Sequence, residues 1–453
     1  MYRFINQAVD RFNNKSSILI ESPLIPNIGN CAEEMFFGLL KAQRERKRVL
    51  FLFLLHPLFW KFTVPVANRE LLHVESKHVA SNSSWYGLLS GMLLTVTYSL
   101  MRVVYVVWRS VNLRRMIRLI RPKIQIIAPT DDNYRVPAIG RSALWQPEGV
   151  VNFSWEIVED YKWREQFKRY QPPSINKNKY RFAENLRVAM GIPIDEWFVC
   201  LHVRETKNLK DSAYRDAAIQ NYVEGIKAIT NTGGWVVRIG DASMTPLPQM
   251  DRVIDYPHTR YKSELSDLYL ISQCRFFFGT TSGPLDVATL FNKPMLLVNT
   301  NEWSAGFPLK KGDLTIIKHT FSRSRNRFLS VNEALEEPFT CQVFGGDSKE
   351  YVKVENTSEE IRDVVEEYLM KPPIYEYSEL QKIFNAKRTR QIHRWLDEGE
   401  PFWNAAAPED LIVERYRIAS RADSVAGTVG QRYLEDNWDV DHLKASPNKP
   451  LVV

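Results

Sequence analysis

The sequence predicts an α/β protein built from two Rossmann-like domains facing a central cleft. Three observations carry this expectation. Short apolar runs of strand length alternate with longer runs of helical character, the pattern of a parallel sheet with crossover helices. The alternation occurs twice, once before residue 150 and again after residue 190. The chain's 453 residues are also too many for one hydrophobic core.

In the first set, residues 17–22 (SILIES) read as a buried strand, 31–43 as the following helix, 48–55 (RVLFLFLL) as a second strand and 123–128 (KIQIIA) as a later one. In the second set, strands are expected at 197–203, 235–239, 252–256, 275–279 and 295–299. Helices are expected between them at 217–230, 263–274 and 285–291, and a further helix at 358–370 ends at Pro372-Pro373. The Pro- and Asn-containing stretch 170–180 reads as a solvated connector, and the residues beyond Trp438 as a tail. The expected division is a first domain at 1–165, a linker at 166–180, a second domain at 181–380, and a helical extension and tail at 381–453.

Hydrophobic residues at 44% and charged residues at 25% exclude a disordered or fibrous chain. A formal net charge of +7 suits anionic partners such as nucleotide phosphates or acidic lipid. The Lys and Arg residues are too dispersed to favour nucleic acid, and no nucleic-acid partner is expected. Cys31, Cys200, Cys274 and Cys341 lie far apart without metal-ligand spacing, and the thiols in apolar runs read as small buried hydrophobes. That usage fits a reducing compartment. The opening MYRFINQAVDRFNNK lacks the apolar centre of a signal peptide, so a cytoplasmic chain is expected unless an internal segment reaches a membrane.

Such a segment exists at 85–108 (WYGLLSGMLLTVTYSLMRVVYVVW), followed by the basic run Arg109, Arg114, Arg115, Arg118 and Arg121. Its length permits spanning, but spanning would separate strands assigned to one sheet. The favoured expectation is a helix lying at the inner face of the cytoplasmic membrane with its arginines on anionic lipid. A buried crossover helix is the ordinary alternative.

Four places carry polar residues suited to ligands. Gly29-Asn30, with Glu33 following, lies after the first strand, where glycine permits close backbone approach; an ordinary tight turn is the alternative. His202, Arg204 and Glu205 end a strand, and an arginine there suits a phosphate, with surface ion pairing as the competing reading. Arg238 and Asp241 end the next strand, Asp241 being either a ribose or base acceptor or a helix cap. Thr280, Thr281, Ser282 and Gly283 join a strand to a helix N-terminus, a composition suited to anions. Rossmann dinucleotide, P-loop, nucleophile-elbow and zincin motifs are all absent from the sequence. Asp131-Asp132 offers only a thin basis for a metal role.

The ordered runs VCLHVRE, DSAYRDA, GGWVVRIGDASMTPLPQMDRVIDY and CRFFFGTTSGP resemble a family of bacterial glycosyltransferases over about residues 198–299, with weaker likeness at IGN and KGDLTIIK. That family is similar to fucosyltransferases, whose Gly-Asn turn and His-x-Arg motif match Gly29, Asn30, His202 and Arg204 here. The resemblance implies a GT-B fold and inverting, metal-independent transfer with no cofactor. A nucleotide sugar, a GDP-linked one among the candidates, would be held around Arg204, and a cell-surface polysaccharide or lipid-linked glycan would accept the sugar. Where fucosyltransferases often continue Arg-Gly-Asp, this chain has Glu205-Thr206 after the arginine. Asp211, Glu205 and Glu33 are the candidate general bases, with Asp211 preferred. A non-catalytic nucleotide-sugar-binding scaffold and a sugar-nucleotide epimerase are the competing functions.

Overall fold

A computed structural model describes residues 18–21, 23, 27–51, 66–79, 168–205, 215–301, 303, 307–337, 350–398 and 425–439. The chain divides into two compact units: Met1–Asp160 with Ala405–Val413, and Tyr161–Asn404 with Glu414–Val453.

In the first unit, β1 (Ile18–Glu21) pairs in parallel with β2 (Arg48–Phe51), and α1 (Ile28–Arg44) connects them. From Cys31 to Ala42 α1 is buried on nearly every side, with Met35, Phe36, Leu39 and Leu40 almost fully enclosed, as a helix inside the unit must be. The expected strand at 123–128, the apolar segment 85–108, the basic run to Arg121 and the pair Asp131-Asp132 lie outside the described residues. No helix among the described residues is long and apolar enough to cross a membrane.

The second unit is a doubly wound domain. Its sheet comprises β3 (Phe198–His202), β4 (Trp235–Arg238), β5 (Val253–Asp255), β6 (Phe277–Gly279), β7 (Met295–Thr300), β8 (Leu314–Ile317) and β12 (Thr428–Val429). They lie in the order β12-β8-β7-β6-β3-β4-β5, each pair parallel. β3, β6 and β7 are buried throughout, as strands covered on both faces must be. The helices α2 (Lys177–Ala189), α3 (Val223–Asn231), α4 (Glu264–Gln273), α5 (Gly283–Leu290), α6 (Val331–Glu336), α7 (Ser358–Met370), α8 (Glu379–Glu398) and α9 (Gln431–Asn437) complete the unit. Gly225 lets α3 lie close on α7, because a Cβ there would come within 3.1 Å of Ile361.

Three expectations need correction. The helix expected from 217 begins as a tight 3-10 turn at Ile219–Tyr222 and becomes α-helical only at Val223. The stretch 170–180 is not simply a solvated connector. Tyr170 is buried with its hydroxyl donating to the Leu290 carbonyl at 2.8 Å, and α2 already starts at Lys177. Regular structure also continues past residue 300. β9 (His319–Ser322), β10 (Arg327–Leu329) and β11 (Tyr351–Val354) form a small antiparallel sheet, and β12 extends the main sheet from within the expected C-terminal extension.

Candidate active site

The strand order locates the place where a ligand would sit. From β3 the chain runs to β4 and β5 on one side, then returns to β6 on the other. The crossovers above β3 and β6 therefore diverge, opening a crevice at their carboxyl ends. His202 ends β3, and the Gly279–Gly283 segment leaves β6.

These two ends are stitched together. Gly279 has φ +144°, and a Cβ on it would lie 1.9 Å from the His202 carbonyl oxygen, so only glycine admits this approach. The Thr280 N–H donates to the His202 carbonyl at 2.9 Å, and its hydroxyl accepts from the Arg204 N–H at 3.0 Å. Ser282 occupies the N-cap position of α5 in an extended conformation but makes no side-chain cap. Its hydroxyl instead meets His202 Nδ1 at 2.8 Å. The first turn of α5 thus lacks a side-chain cap from Ser282; Pro284 has no N–H and the Leu285 N–H donates to the Ser282 carbonyl at 2.9 Å, so the donor this end offers an anion is the Gly283 N–H.

His202 is buried, and its imidazole is held down to about 4, first by burial and then by the Arg204 and Arg238 charges, with Asp241 acting in the opposite sense. It is therefore neutral at pH 7. Arg204 is half-buried at the crevice, its Nε 3.4 Å from Asp216 Oδ1. The Ala217 N–H fixes the Arg204 carbonyl at 3.0 Å.

Arg238 and Glu205 have other duties than those expected. Arg238 is fully buried; it donates to Glu205 Oε1 at 3.0 Å, to Asp255 Oδ1 at 3.3 Å and to the Thr245 carbonyl. The other oxygens of both carboxylates accept N–H groups, Glu205 from Thr245 and Asp255 from Leu247, each at 2.9 Å. This cluster anchors the 241–247 loop. Arg238 is thus spent on contacts within the protein, and both oxygens of Glu205 accept hydrogen bonds in this arrangement.

Asp241 is exposed and accepts from the Ser243 N–H (2.8 Å) and hydroxyl (2.5 Å), which lower its pKa; it closes a turn rather than capping a helix. Thr281 is half-buried beside Ser282. Gly29 and Asn30 lie in the first turn of α1 rather than in a turn before it; Gly29 is buried, Asn30 exposed and Glu33 half-buried. Asp211 lies outside the described residues. Thr245, Asp255 and Lys318 are the participants that sequence reasoning missed, and Asp216 stood only as part of the loop after Glu205. Lys318 alone carried a usable signal, a polar residue closing the buried run LTII. Among the described residues, no group of three or more His, Cys, Asp or Glu is arranged to hold a metal ion.

Fold and site define a doubly wound α/β domain whose switch-point crevice presents a guanidinium and an uncapped helix end. No protein-family model and no curated protein matches the chain. Among the solved structures that are similar at a low level are two glycosyl transferases. The glycosyl transferase family 9 protein from Veillonella parvula matches with 10% identity and a TM-score of 0.30, covering 62% of this chain and 79% of that one. The E. coli ADP-heptose LPS heptosyltransferase II matches with 12% identity and a TM-score of 0.30, covering 67% and 90%. At those values neither likeness carries an argument about function.

Proposed function

We propose that the chain is a GT-B-type glycosyltransferase that moves a sugar from a nucleotide-activated donor to a cell-surface polysaccharide or lipid-linked glycan. The observation that carries this reading is the convergence of Arg204, neutral His202 and the start of α5 at the switch point of the sheet. The donor diphosphate would lie against the first turn of α5 with Arg204 beside it. During transfer the diphosphate departs with growing negative charge, and a fixed guanidinium stabilises that charge. His202, uncharged and tied to Ser282, offers a hydrogen bond without a protonation equilibrium near pH 7. The acceptor is assigned to the first unit, around Gly29, Asn30 and Glu33, with Asp211 as the candidate base. Residues 85–121 would rest on anionic lipid, a role checked by flotation with anionic liposomes against a variant lacking Arg114, Arg115 and Arg118.

Calorimetric titration with UDP, GDP and ADP, followed by turnover of their sugars with glycan acceptors, tests the reaction. At least one diphosphate is expected to bind, and Arg204→Ala to weaken it by about tenfold or more, the scale of a charge-assisted contact. Binding without transfer would favour the scaffold, and donor conversion without acceptor the epimerase. Unchanged affinity in Arg204→Ala would remove the arginine from the donor site.

A further inference from the structure

Lys318 follows the end of β8, its N–H bonded to the Thr300 carbonyl at 2.8 Å. The residue is only 5% exposed. An ammonium that deep in a protein needs acceptors and counter-charge to stay there. Its Nζ donates to the backbone carbonyl of Asp216 at 2.6 Å.

The next three links lead to the candidate site. The Asp216 carboxylate lies 3.4 Å from Arg204 Nε. The Ala217 N–H donates to the Arg204 carbonyl at 3.0 Å. The Ala218 N–H donates to Glu355 Oε2 at 2.9 Å, an oxygen that also accepts from Asn221 Nδ2 at 3.0 Å. Glu355 is itself well seated, because Asn356 beside it exchanges backbone-to-side-chain bonds with Asn299 at 2.8 and 2.7 Å. Arg204 thus leans on a three-residue segment held from behind by Lys318 and Glu355.

We infer that Lys318 is a positioning residue for the Arg204 guanidinium, acting through the Asp216 carbonyl it holds. For function, this role rests on the reading that Arg204 grips the donor diphosphate. The arrangement also makes the grip sensitive to pH. Burial lowers the Lys318 ammonium to about 8; Glu355 and Asp216 act to retain its proton, and Lys353 on β11 acts against them. His319, the next residue, bonds to Glu360 at 2.9 Å. The charge on Lys318 is present below pH 8 and lost above it. Once neutral, the amine is a weaker donor, and Asp216 and Glu355 lose a counter-charge. Arg204 then loses its fixed direction.

The test follows the Nε–Hε resonance of Arg204 in the full chain labelled with 15N-arginine, assigned through Arg204→Lys, from pH 6.5 to 9.5. The wild-type resonance is expected to move with a midpoint near 8. Lys318→Met should hold it flat at the high-pH position, and Lys318→Arg, charged throughout, flat at the low-pH position. In parallel, titration with GDP, UDP and ADP should show affinity falling about tenfold over the same interval in the wild type, the scale of a lost charge-assisted bond. Lys318→Met should show the weakened affinity already at pH 7. A wild-type resonance that stays still, or one that moves identically in Lys318→Met, overturns the inference. A resonance that titrates as expected while none of the three nucleotides binds supports the positioning role and overturns the donor reading. If Lys318→Met fails to fold by circular dichroism, Lys318→Arg decides in its place, because a resonance that still titrates near 8 in that variant overturns the inference.

Discussion

His202 Nδ1 stands 2.8 Å from the Ser282 hydroxyl, a side-chain link from the end of β3 to the start of α5. Ser282 gives up the capping role that Ser330 and Thr357 perform at α6 and α7, where complete capping boxes form. Removing its hydroxyl therefore costs one buried hydrogen bond rather than a cap. Ser282→Ala is expected to lose about 1 kcal/mol by urea unfolding. Ser282→Asp is the sharper probe, because its carboxylate would take the end of α5 that we assign to the diphosphate. It should abolish nucleotide binding in calorimetry while the protein stays folded.

The imidazole of His202 gives a signed prediction for acid stability. Its ordinary value of 6.5 falls to about 4 in the folded protein. Between those values the unfolded chain takes up a proton that the native one refuses. The stability it contributes is whole above pH 6.5 and drains away as pH falls towards 4. A shift of that size corresponds in full to roughly 3 kcal/mol, most of it lost by about pH 4.5. His202→Gln should be less stable than wild type at pH 7, and the gap should narrow by about that amount at pH 4.5 in urea unfolding. A gap that stays constant would mean the folded imidazole titrates normally.

Gly279 and Gly233 both have positive φ, at +144° and +83°, yet their surroundings differ. A Cβ at 233 meets nothing within 4 Å, whereas one at 279 strikes the His202 carbonyl. Gly233→Ala should cost about 1 kcal/mol, the backbone penalty alone. Gly279→Ala must also push β6 from β3, and a loss of about 3 kcal/mol or more is expected. Thermal unfolding of the pair separates the two effects. Similar losses would show that the close approach of β3 and β6 is not what glycine provides.

The edge of the second sheet was legible because its strands are continuous apolar runs that end abruptly in polar residues, as FVCLH does before Arg204. The purpose of those polar residues was less legible. Arg238 ends its strand just as His202 does, but it stands in register with Asp255 across β4 and β5 and receives Glu205 from just beyond the end of the adjacent β3. Strand pairing decides which strand-end residue faces a ligand and which is locked inward, and periodicity carries no pairing information. The strands after residue 300 went unread for the same reason. β8 gains β12 as a neighbour from far along the chain, and a two-residue strand has no period to read. Lys318 does close a readable run, LTII, but its reach to the Asp216 carbonyl behind Arg204 is a tertiary contact that no run of residues records.

The inward role of Arg238 separates strut from catalyst experimentally. Arg238→Met leaves Glu205 and Asp255 facing each other in a mostly buried site without their shared cation. A loss of about 3–5 kcal/mol is expected, with the 241–247 loop released. Glu205→Gln is milder. Its amide nitrogen must face either the guanidinium or the Thr245 N–H, both donors, so about 1–3 kcal/mol is expected from the unsatisfied contact. A general base replaced by its amide loses its proton acceptor outright, and turnover then falls by roughly a hundredfold or more. For a strut, kcat of the folded fraction stays within about tenfold of wild type, and the damage shows in the unfolding midpoint instead. Measuring both on Glu205→Gln discriminates the roles, since a collapse of kcat with the midpoint intact would restore Glu205 as the base.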